Sequence, residues 1–171
     1  MFRFLARAVL SRSLAEPRPP VLEEDVKALA LRVNEIARDR LGRGLTIRAV
    51  DAGSCNGCEL EIHALNNVYH DLERFGLRFT ASPRHADLLL VSGPVTVNMR
   101  VALERTWAAT PDPKWVIAVG ACAADGGIFA GSYAVEGGVK DVVPVDLTIA
   151  GCPPNPRQLL AGLLALLQKA A

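Results

Sequence analysis

Four cysteines are the residues of this chain whose type and spacing point most directly to chemistry. Cys55 and Cys58 form a Cys-x-x-Cys pair, while Cys122 and Cys152 stand alone farther along the chain. Each of the four follows a short apolar run and lies close to a glycine. Soft thiolate ligands select zinc or an iron–sulfur cluster over hard cations. Four thiols without a spare therefore predict one tetrathiolate site.

The spacing of the thiols favours a cluster over zinc. Structural zinc sites usually bring two close pairs of ligands together, whereas this chain has one pair and two distant single cysteines. A Cys-x-x-Cys pair that opens a helix is also typical of thioredoxin-like dithiols, but that interpretation gives Cys122 and Cys152 no role. Free cysteines are often core residues, so four unrelated buried thiols are a further alternative. Thiols beside glycines at strand ends are poor candidates for a core.

The size, charge and hydropathy of the chain limit the other function classes. Its 171 residues, 50% of them hydrophobic, suffice for one domain with a substantial core. The 19 basic and 18 acidic side chains nearly balance, and no basic stripe is present, so nucleic-acid binding has little support. The longest apolar stretch, 159–167, is shorter than the roughly 20 residues of a membrane-spanning helix. No signal peptide is recognisable, which indicates a reducing, cytoplasmic setting.

The elements that must position the thiols alternate between apolar strands and amphipathic helices. Continuous apolar runs at 88–91 and 116–119 suit strands that are buried on both faces of a parallel sheet. We therefore predict an α/β fold, a flavodoxin-like doubly wound parallel sheet in a single domain over 21–171. The predicted strands cover 45–52, 77–81, 87–92, 115–120 and 145–150, and the predicted helices cover 22–41, 59–75, 96–109 and 156–169.

Residues 1–20 are predicted to form an N-terminal amphipathic helix and a proline-containing linker. Leu5 and Val9 fall on one side of this helix at helical spacing, with Arg3 and Arg7 on the other. Such a basic helix docks on a membrane surface or on a partner. An arginine-rich transit peptide and a frayed tail are the alternatives.

The topology of a parallel sheet explains how thiols so distant in sequence can meet. Ligands of open α/β sheets bind at the carboxyl ends of the strands. Cys55 and Cys58 follow the first predicted strand, and Cys122 and Cys152 follow two later ones. We therefore expect all four thiols at one edge of the sheet. The glycine-rich stretch 121–144 is predicted to be a long functional loop beside them.

Five motifs stand in order along the chain: Cys55-Asn-Gly-Cys58-Glu-Leu-Glu61, Ser82-Pro-Arg-His-Ala-Asp-Leu-Leu-Leu-Val-Ser-Gly-Pro-Val-Thr96, Gly120-Ala-Cys-Ala123, Val143-Pro-Val-Asp146 and Gly151-Cys-Pro-Pro154. This set resembles the family that contains the 20 kDa subunit of respiratory complex I and the small subunits of nickel–iron hydrogenases. The resemblance runs from about Ala49 to the C terminus.

The resemblance implies one 4Fe-4S cluster, held by Cys55, Cys58, Cys122 and Cys152. Complex I members of the family carry two adjacent cysteines at the first motif, whereas hydrogenase small subunits carry Cys-x-x-Cys, the form present here. The segments 82–96 and 143–154 look more like complex I. This mixture is typical of membrane-bound, energy-converting hydrogenases such as formate hydrogenlyase.

By the same resemblance the chain is expected to be an oxidoreductase subunit that is catalytic only within a complex. Electrons would pass between a ferredoxin-like subunit, this cluster and a nickel–iron site in a large subunit, where protons are reduced to hydrogen or the reverse. The complex would include membrane subunits and place this chain on the inner face of the cell membrane. The alternatives are the equivalent subunit of a complex-I-like quinone oxidoreductase and a zinc-stabilised interaction module.

Charged residues within the motifs have two interpretations each. Glu59 and Glu61 either relay protons or contact a partner, or they are acids favoured at a helix N terminus. Arg84 either places positive charge near the cluster or forms a structural ion pair with Asp87. The three histidines lack metal-ligand spacing, and surface or core roles are favoured for them.

Overall fold

The computed structural model describes residues 23–169, with side chains from residue 26 onward. The helix and linker predicted over 1–20 lie outside the described residues. The described chain contains a five-stranded parallel sheet whose strands are β1 (Thr46–Asp51), β2 (Arg78–Phe79), β3 (Leu88–Ser92), β5 (Trp115–Val119) and β7 (Leu147–Ile149).

The strand order is β2-β1-β3-β5-β7. Two short strands, β4 (Val95–Thr96) and β6 (Val135–Gly137), pair with each other in an antiparallel ribbon outside this sheet. With that ribbon set aside, the order is the 2-1-3-4-5 arrangement of flavodoxin-like folds, with a topological switch point between β1 and β3. The predicted fold class is confirmed.

Helices cover both faces of the sheet, and this explains the continuous apolar strands. On one face lie α1 (Glu23–Leu41), α2 (Gly57–Ala64) and α5 (Pro156–Lys169), and on the other lie α3 (Val97–Ala109) and α4 (Gly120–Asp125). Alternate residues of β3 enter the two cores: Leu88 and Leu90 pack under α1 and α5, while Leu89 and Val91 pack under α3. All five residues of β3 are buried.

The helix predicted over 59–75 is shorter than expected. It ends at Ala64, and only a 3-10 turn at Leu72–Phe75 follows before β2. The Oδ1 of Asn67 accepts hydrogen bonds from the backbone N–H groups of Tyr69 and His70, both at 2.9 Å. Such a side-chain turn competes with helical hydrogen bonding, and the left-handed backbone of Asp71, at φ 43°, then prevents the helix from resuming.

The stretch 121–144, predicted to be an irregular loop, contains regular structure. It holds most of α4, the strand β6 and two 3-10 turns, Gly127–Phe129 and Val139–Asp141. The other predicted elements differ from the observed ones by at most three residues at each end, and α5 has the predicted bounds. No helix among the described residues is long and apolar enough to cross a membrane.

Candidate metal centre

The Cys-x-x-Cys segment is held in a turn at the carboxyl end of β1. The Oδ1 of Asp51 accepts hydrogen bonds from the backbone N–H groups of Gly53 and Ser54, both at 2.7 Å. The hydroxyl of Ser54 accepts a further bond at 2.9 Å from the N–H of Asn56, whose φ of 71° is left-handed. The chain thus turns sharply and enters α2 with Cys58 in its first turn.

All four thiols line one cavity of about 80 Å³. Cys55 and Cys58 reach it from the loop and helix after β1, Cys122 from α4 after β5, and Cys152 from the segment after β7. Cys122 is buried and Cys58 half-buried, whereas Cys55 and Cys152 are exposed. The structure therefore brings together the four residues that the sequence singled out. It does so at the carboxyl edge of the sheet, where parallel topology directs ligand sites.

Two glycines leave room for the thiols. A Cβ at Gly120 would lie 2.7 Å from the Sγ of Cys58, and a Cβ at Gly127 would lie 3.0 Å from the Sγ of Cys122. Both glycines have a left-handed backbone, with φ of 86° and 52°. A side chain at either position would push a thiol out of the cavity, so these glycines shape a cradle for the sulfur atoms.

The thiols oppose one another's ionisation. Burial raises the pKa of Cys58 to about 11, and the nearby thiols of Cys122, Cys55 and Cys152 and the carboxylate of Glu59 contribute to this rise in that order. Burial also raises the pKa of Cys122, followed by the effects of Cys152 and Cys55. Four thiolates at such close quarters need a cationic centre among them, because only a positive charge compensates both their mutual repulsion and their burial.

Glu59 ties the cysteine turn to the sheet. Its two carboxylate oxygens accept hydrogen bonds from the hydroxyls of Ser54, in the turn, and Ser92, at the end of β3. Sequence reasoning considered Glu59 only as a proton relay, a partner contact or a helix N-terminal acid. The contact with Ser92 could not be predicted from local sequence, because Ser92 is 33 residues away from Glu59. The contact with Ser54 depends on the turn that brings this serine back toward α2.

Asp87 has a different partner from the one that the sequence suggested. Its carboxylate accepts hydrogen bonds from Arg43, at 2.8 and 2.6 Å, and from the backbone N–H of Thr46 at 2.9 Å. The ion pair between Arg84 and Asp87, one of the two alternatives for Arg84, is therefore wrong. Asp87 lies at the amino end of β3. Its ion pair with Arg43 therefore joins chain segments at the edge of the sheet that is opposite to the thiols.

The histidines do not join the thiols. His63 is exposed, and the Nδ1 of His70 lies 2.9 Å from the carbonyl oxygen of Ala64. Across residues 26–169, no group of three or more His, Cys, Asp or Glu side chains is arranged to hold a metal ion.

Residues 55–166 match the family model described as "NADH ubiquinone oxidoreductase, 20 Kd subunit". The chain belongs to this family. The matched region begins at Cys55 and includes all four cysteines, and the resemblance predicted from the motifs is confirmed.

Several relatives in the family are components of oxidoreductase complexes. Formate hydrogenlyase subunit 7 of Escherichia coli is 43% identical over 85% of this chain, and the alignment spans 56% of that relative. The probable membrane-bound hydrogenase subunit mbhJ of Pyrococcus furiosus is 41% identical over 85% of this chain and 86% of its own length. An NADH-quinone oxidoreductase subunit of Citrifermentans bemidjiense is 46% identical over 67% of this chain and 66% of the relative. Relatives of this chain are thus subunits of oxidoreductase complexes, in agreement with the predicted enzyme class.

Solved structures agree with this assignment. A chain of the membrane-bound sulfane sulfur reductase, an archaeal respiratory membrane complex, has 35% identity and a TM-score of 0.66, with 80% of this chain and 74% of that one covered. A chain of an NAD⁺-reducing [NiFe]-hydrogenase has a TM-score of 0.57 over 74% of this chain and 93% of its own. At 20% identity, the latter shows the shared fold alone.

Proposed function

We propose that this chain carries one 4Fe-4S cluster on Cys55, Cys58, Cys122 and Cys152. In this proposal it relays electrons to or from the nickel–iron site of a partner large subunit, within a membrane-associated hydrogenase complex. The observation that carries the proposal is the convergence of four thiols, from three separate chain segments, on one cavity. The family resemblance adds the cluster type and the redox role.

The size of the cavity supports a cluster more than a single zinc ion. Zinc binds four thiolate sulfurs at about 2.3 Å and fills the space between them. The cavity that these thiols line measures about 80 Å³, which is several times the roughly 10–15 Å³ that a cavity needs to hold one water molecule. A group of several atoms suits this space. The donor set is also suitable, because soft thiolates are the usual ligands of iron–sulfur clusters.

The residues of the chain would hold and orient the cluster. When bound, such a cluster accepts and releases one electron at a time. Cys58 and Cys122 would hold it from the protein side, where burial lowers the local dielectric constant. Cys55 and Cys152 lie at the exposed rim, which is the side a partner can approach most closely. The four thiols account for every cysteine in the chain, so no cysteine is left to bind nickel. In this proposal the large subunit supplies the nickel ligands.

The first motif and the relatives favour a hydrogenase complex. Cys55 and Cys58 have the Cys-x-x-Cys form that resembles hydrogenase small subunits. Two relatives that match 85% of the chain are named as a formate hydrogenlyase subunit and a probable membrane-bound hydrogenase subunit. The proposed partners are a hydrogenase-type large subunit, a ferredoxin-like iron–sulfur subunit and membrane subunits. The proposed location is the cytoplasmic face of the cell membrane.

A second candidate is the equivalent subunit of a complex-I-like quinone oxidoreductase. The 46% identity to the NADH-quinone oxidoreductase component of Citrifermentans bemidjiense supports this alternative. A zinc-stabilised interaction module remains the candidate without redox activity.

Metal analysis of the purified complex tests the proposal. We expect about four irons for this subunit, broad visible absorption that bleaches with dithionite, and their loss in Cys122→Ser. Ala134→Ser, at an exposed position in the same connection between β5 and β7, is the matched control and should keep the iron. Zinc without visible colour would refute the cluster. Quinone reduction without hydrogen evolution, with iron retained, would support the second candidate over the first.

A further inference from the structure

A second cavity, of about 470 Å³, lies along the outer edge of β1. Strand β1 pairs with β3 at every residue from Ile47 to Asp51, but with β2 only at Thr46 and Ile47. The outer edge of β1 at 48–51 therefore extends beyond the end of β2. The cavity opens beside this edge, and Glu59 lines it, whereas none of the four cysteines does. An unpaired strand edge is a template for an added strand.

Arg48 lines this cavity and forms no ion pair with another described residue. Its side chain is half-buried, and its buried Nε has no hydrogen-bond partner among the described residues. The two carboxylates that line the same cavity accept hydrogen bonds from neutral groups and form no ion pair with Arg48. Asp51 accepts the N–H groups of Gly53 and Ser54, and Glu59 accepts two serine hydroxyls. A guanidinium without an ionic partner forms strong, charge-assisted hydrogen bonds with a carboxylate, and a carboxylate of a neighbouring chain can supply them here.

The walls of the cavity match an extended peptide. Ile62 and Phe79 are apolar, whereas Asn66 and Thr80 offer hydrogen-bonding groups. Successive side chains of an added strand point to opposite sides, so such a peptide can place apolar and polar residues against different walls. Backbone pairing gives affinity in this mode of recognition, and the side-chain pockets give specificity.

We propose that an extended segment of a partner subunit adds to the outer edge of β1 and places an Asp or Glu carboxylate on Arg48. The inference does not depend on a metal at the thiols, because none of the four cysteines lines this cavity. It assigns an interaction surface to the side of β1 that the described chain leaves open.

Photocrosslinking in the intact complex identifies the occupant. A benzoylphenylalanine is placed at Ala81, which is exposed and lines the cavity, and at Ala108 on α3 as the control position. We expect crosslinks from position 81 to one stretch of another subunit that contains an acidic residue. We expect no crosslink to that stretch from position 108.

Charge variants then test the role of Arg48 in the crosslinked complex. Arg48→Glu should lower the yield from position 81 about thirty-fold, the effect of truncating one member of a buried charge pair. Arg105→Glu, an exposed arginine on α3, is the matched control and should leave the yield unchanged. Thermal melting of each variant shows whether the fold is intact. If Arg48→Glu unfolds, the neutral Arg48→Gln provides the test and should also lower the yield.

Four results would overturn the proposal. The first is the absence of any crosslink from position 81 to another subunit, and the second is a crosslink only to residues 1–22 of this chain. The third is a crosslink yield that does not change in either Arg48 variant. The fourth is that added inorganic phosphate abolishes the effect of the Arg48 variants while no protein segment is captured. A crosslinked acidic stretch whose replacement by lysine restores binding to Arg48→Glu would establish the pairing.

Discussion

Gly120→Ala is expected to weaken binding of the proposed cluster while leaving the fold intact. The Cβ of the alanine would lie 2.7 Å from the Sγ of Cys58, whereas ordinary contact begins at 3.4 Å. The thiol must therefore retreat by about 0.7 Å (3.4 − 2.7). Metal–ligand distances tolerate only about 0.2 Å, so Cys58 can no longer act as a ligand in its present position.

Two effects of this substitution can be separated. The left-handed backbone of Gly120, at φ 86°, costs an alanine about 1–2 kcal/mol. Gly131→Ala is the matched control, because Gly131 has a φ of 79° and nothing within 4 Å of the added Cβ. Both variants should lose about 1–2 kcal/mol of unfolding free energy. Only Gly120→Ala should also lose metal affinity, by at least about tenfold, as when groups that orient a ligand are changed.

The assays are urea unfolding of the metal-free proteins and iron content after reconstitution. Equal iron content in the two variants would refute the steric argument. Iron loss in both would assign the effect to backbone strain rather than to contact with the Cys58 thiol.

Three further predictions concern the charges around the sheet. In the metal-free protein the pKa of Cys58 is raised from its ordinary value of 9.0 to about 11, so the folded state keeps a proton that the unfolded chain releases above pH 9.0. The free energy of unfolding should therefore fall as the pH rises from 9.0 to about 11. Cys58→Ser should flatten this fall in thermal melting, and an identical slope would contradict the assignment. Arg43→Ala should lower the free energy of unfolding in urea by about 2–3 kcal/mol, because Asp87 is only 5% exposed and loses two charged hydrogen bonds. A decrease below about 0.5 kcal/mol, as at ordinary surface sites, would count against this role of Arg43. Glu59→Ala should speed the loss of iron to a chelator, whereas Glu59→Gln should retain iron longer because its amide still bonds both hydroxyls. Equal rates in the two variants would show that the serine contacts are unimportant.

The parts of the fold that follow from local pattern were predictable. The apolar runs 88–91 and 116–119 predicted the central strands, because strands covered on both faces carry no polar alternation. The place where the thiols meet followed from one further rule, that parallel strands present their carboxyl ends at the same edge. The distances between the sulfur atoms and the glycines did not follow, since they depend on backbone angles such as the left-handed φ of Gly120.

The missed helix end shows where periodicity misleads. Leu65, Leu72 and Phe75 are all buried, as the predicted helix required, yet only the first lies next to α2. Apolar spacing reports burial, and a turn followed by a 3-10 segment can bury the same residues. The decisive signal was the side chain of Asn67, whose hydrogen bonds compete with the helix.

Contacts between distant residues escaped sequence reasoning for a different reason. Arg43 and Asp87 are 44 residues apart and meet because β1 and β3 are neighbours in the sheet. Nearness in sequence had suggested Arg84 instead. Choosing between the two arginines requires the order of the strands and the position of the loop before β1, which no local motif contains.

The unequal exposure of the thiols bears on how the proposed cluster would be inserted. Cys55 and Cys152 lie at the surface while Cys122 is buried, so iron and sulfide could reach the site of the folded chain from the exposed side. If the proposed large subunit docks over that side, insertion of the cluster must precede association of the two subunits.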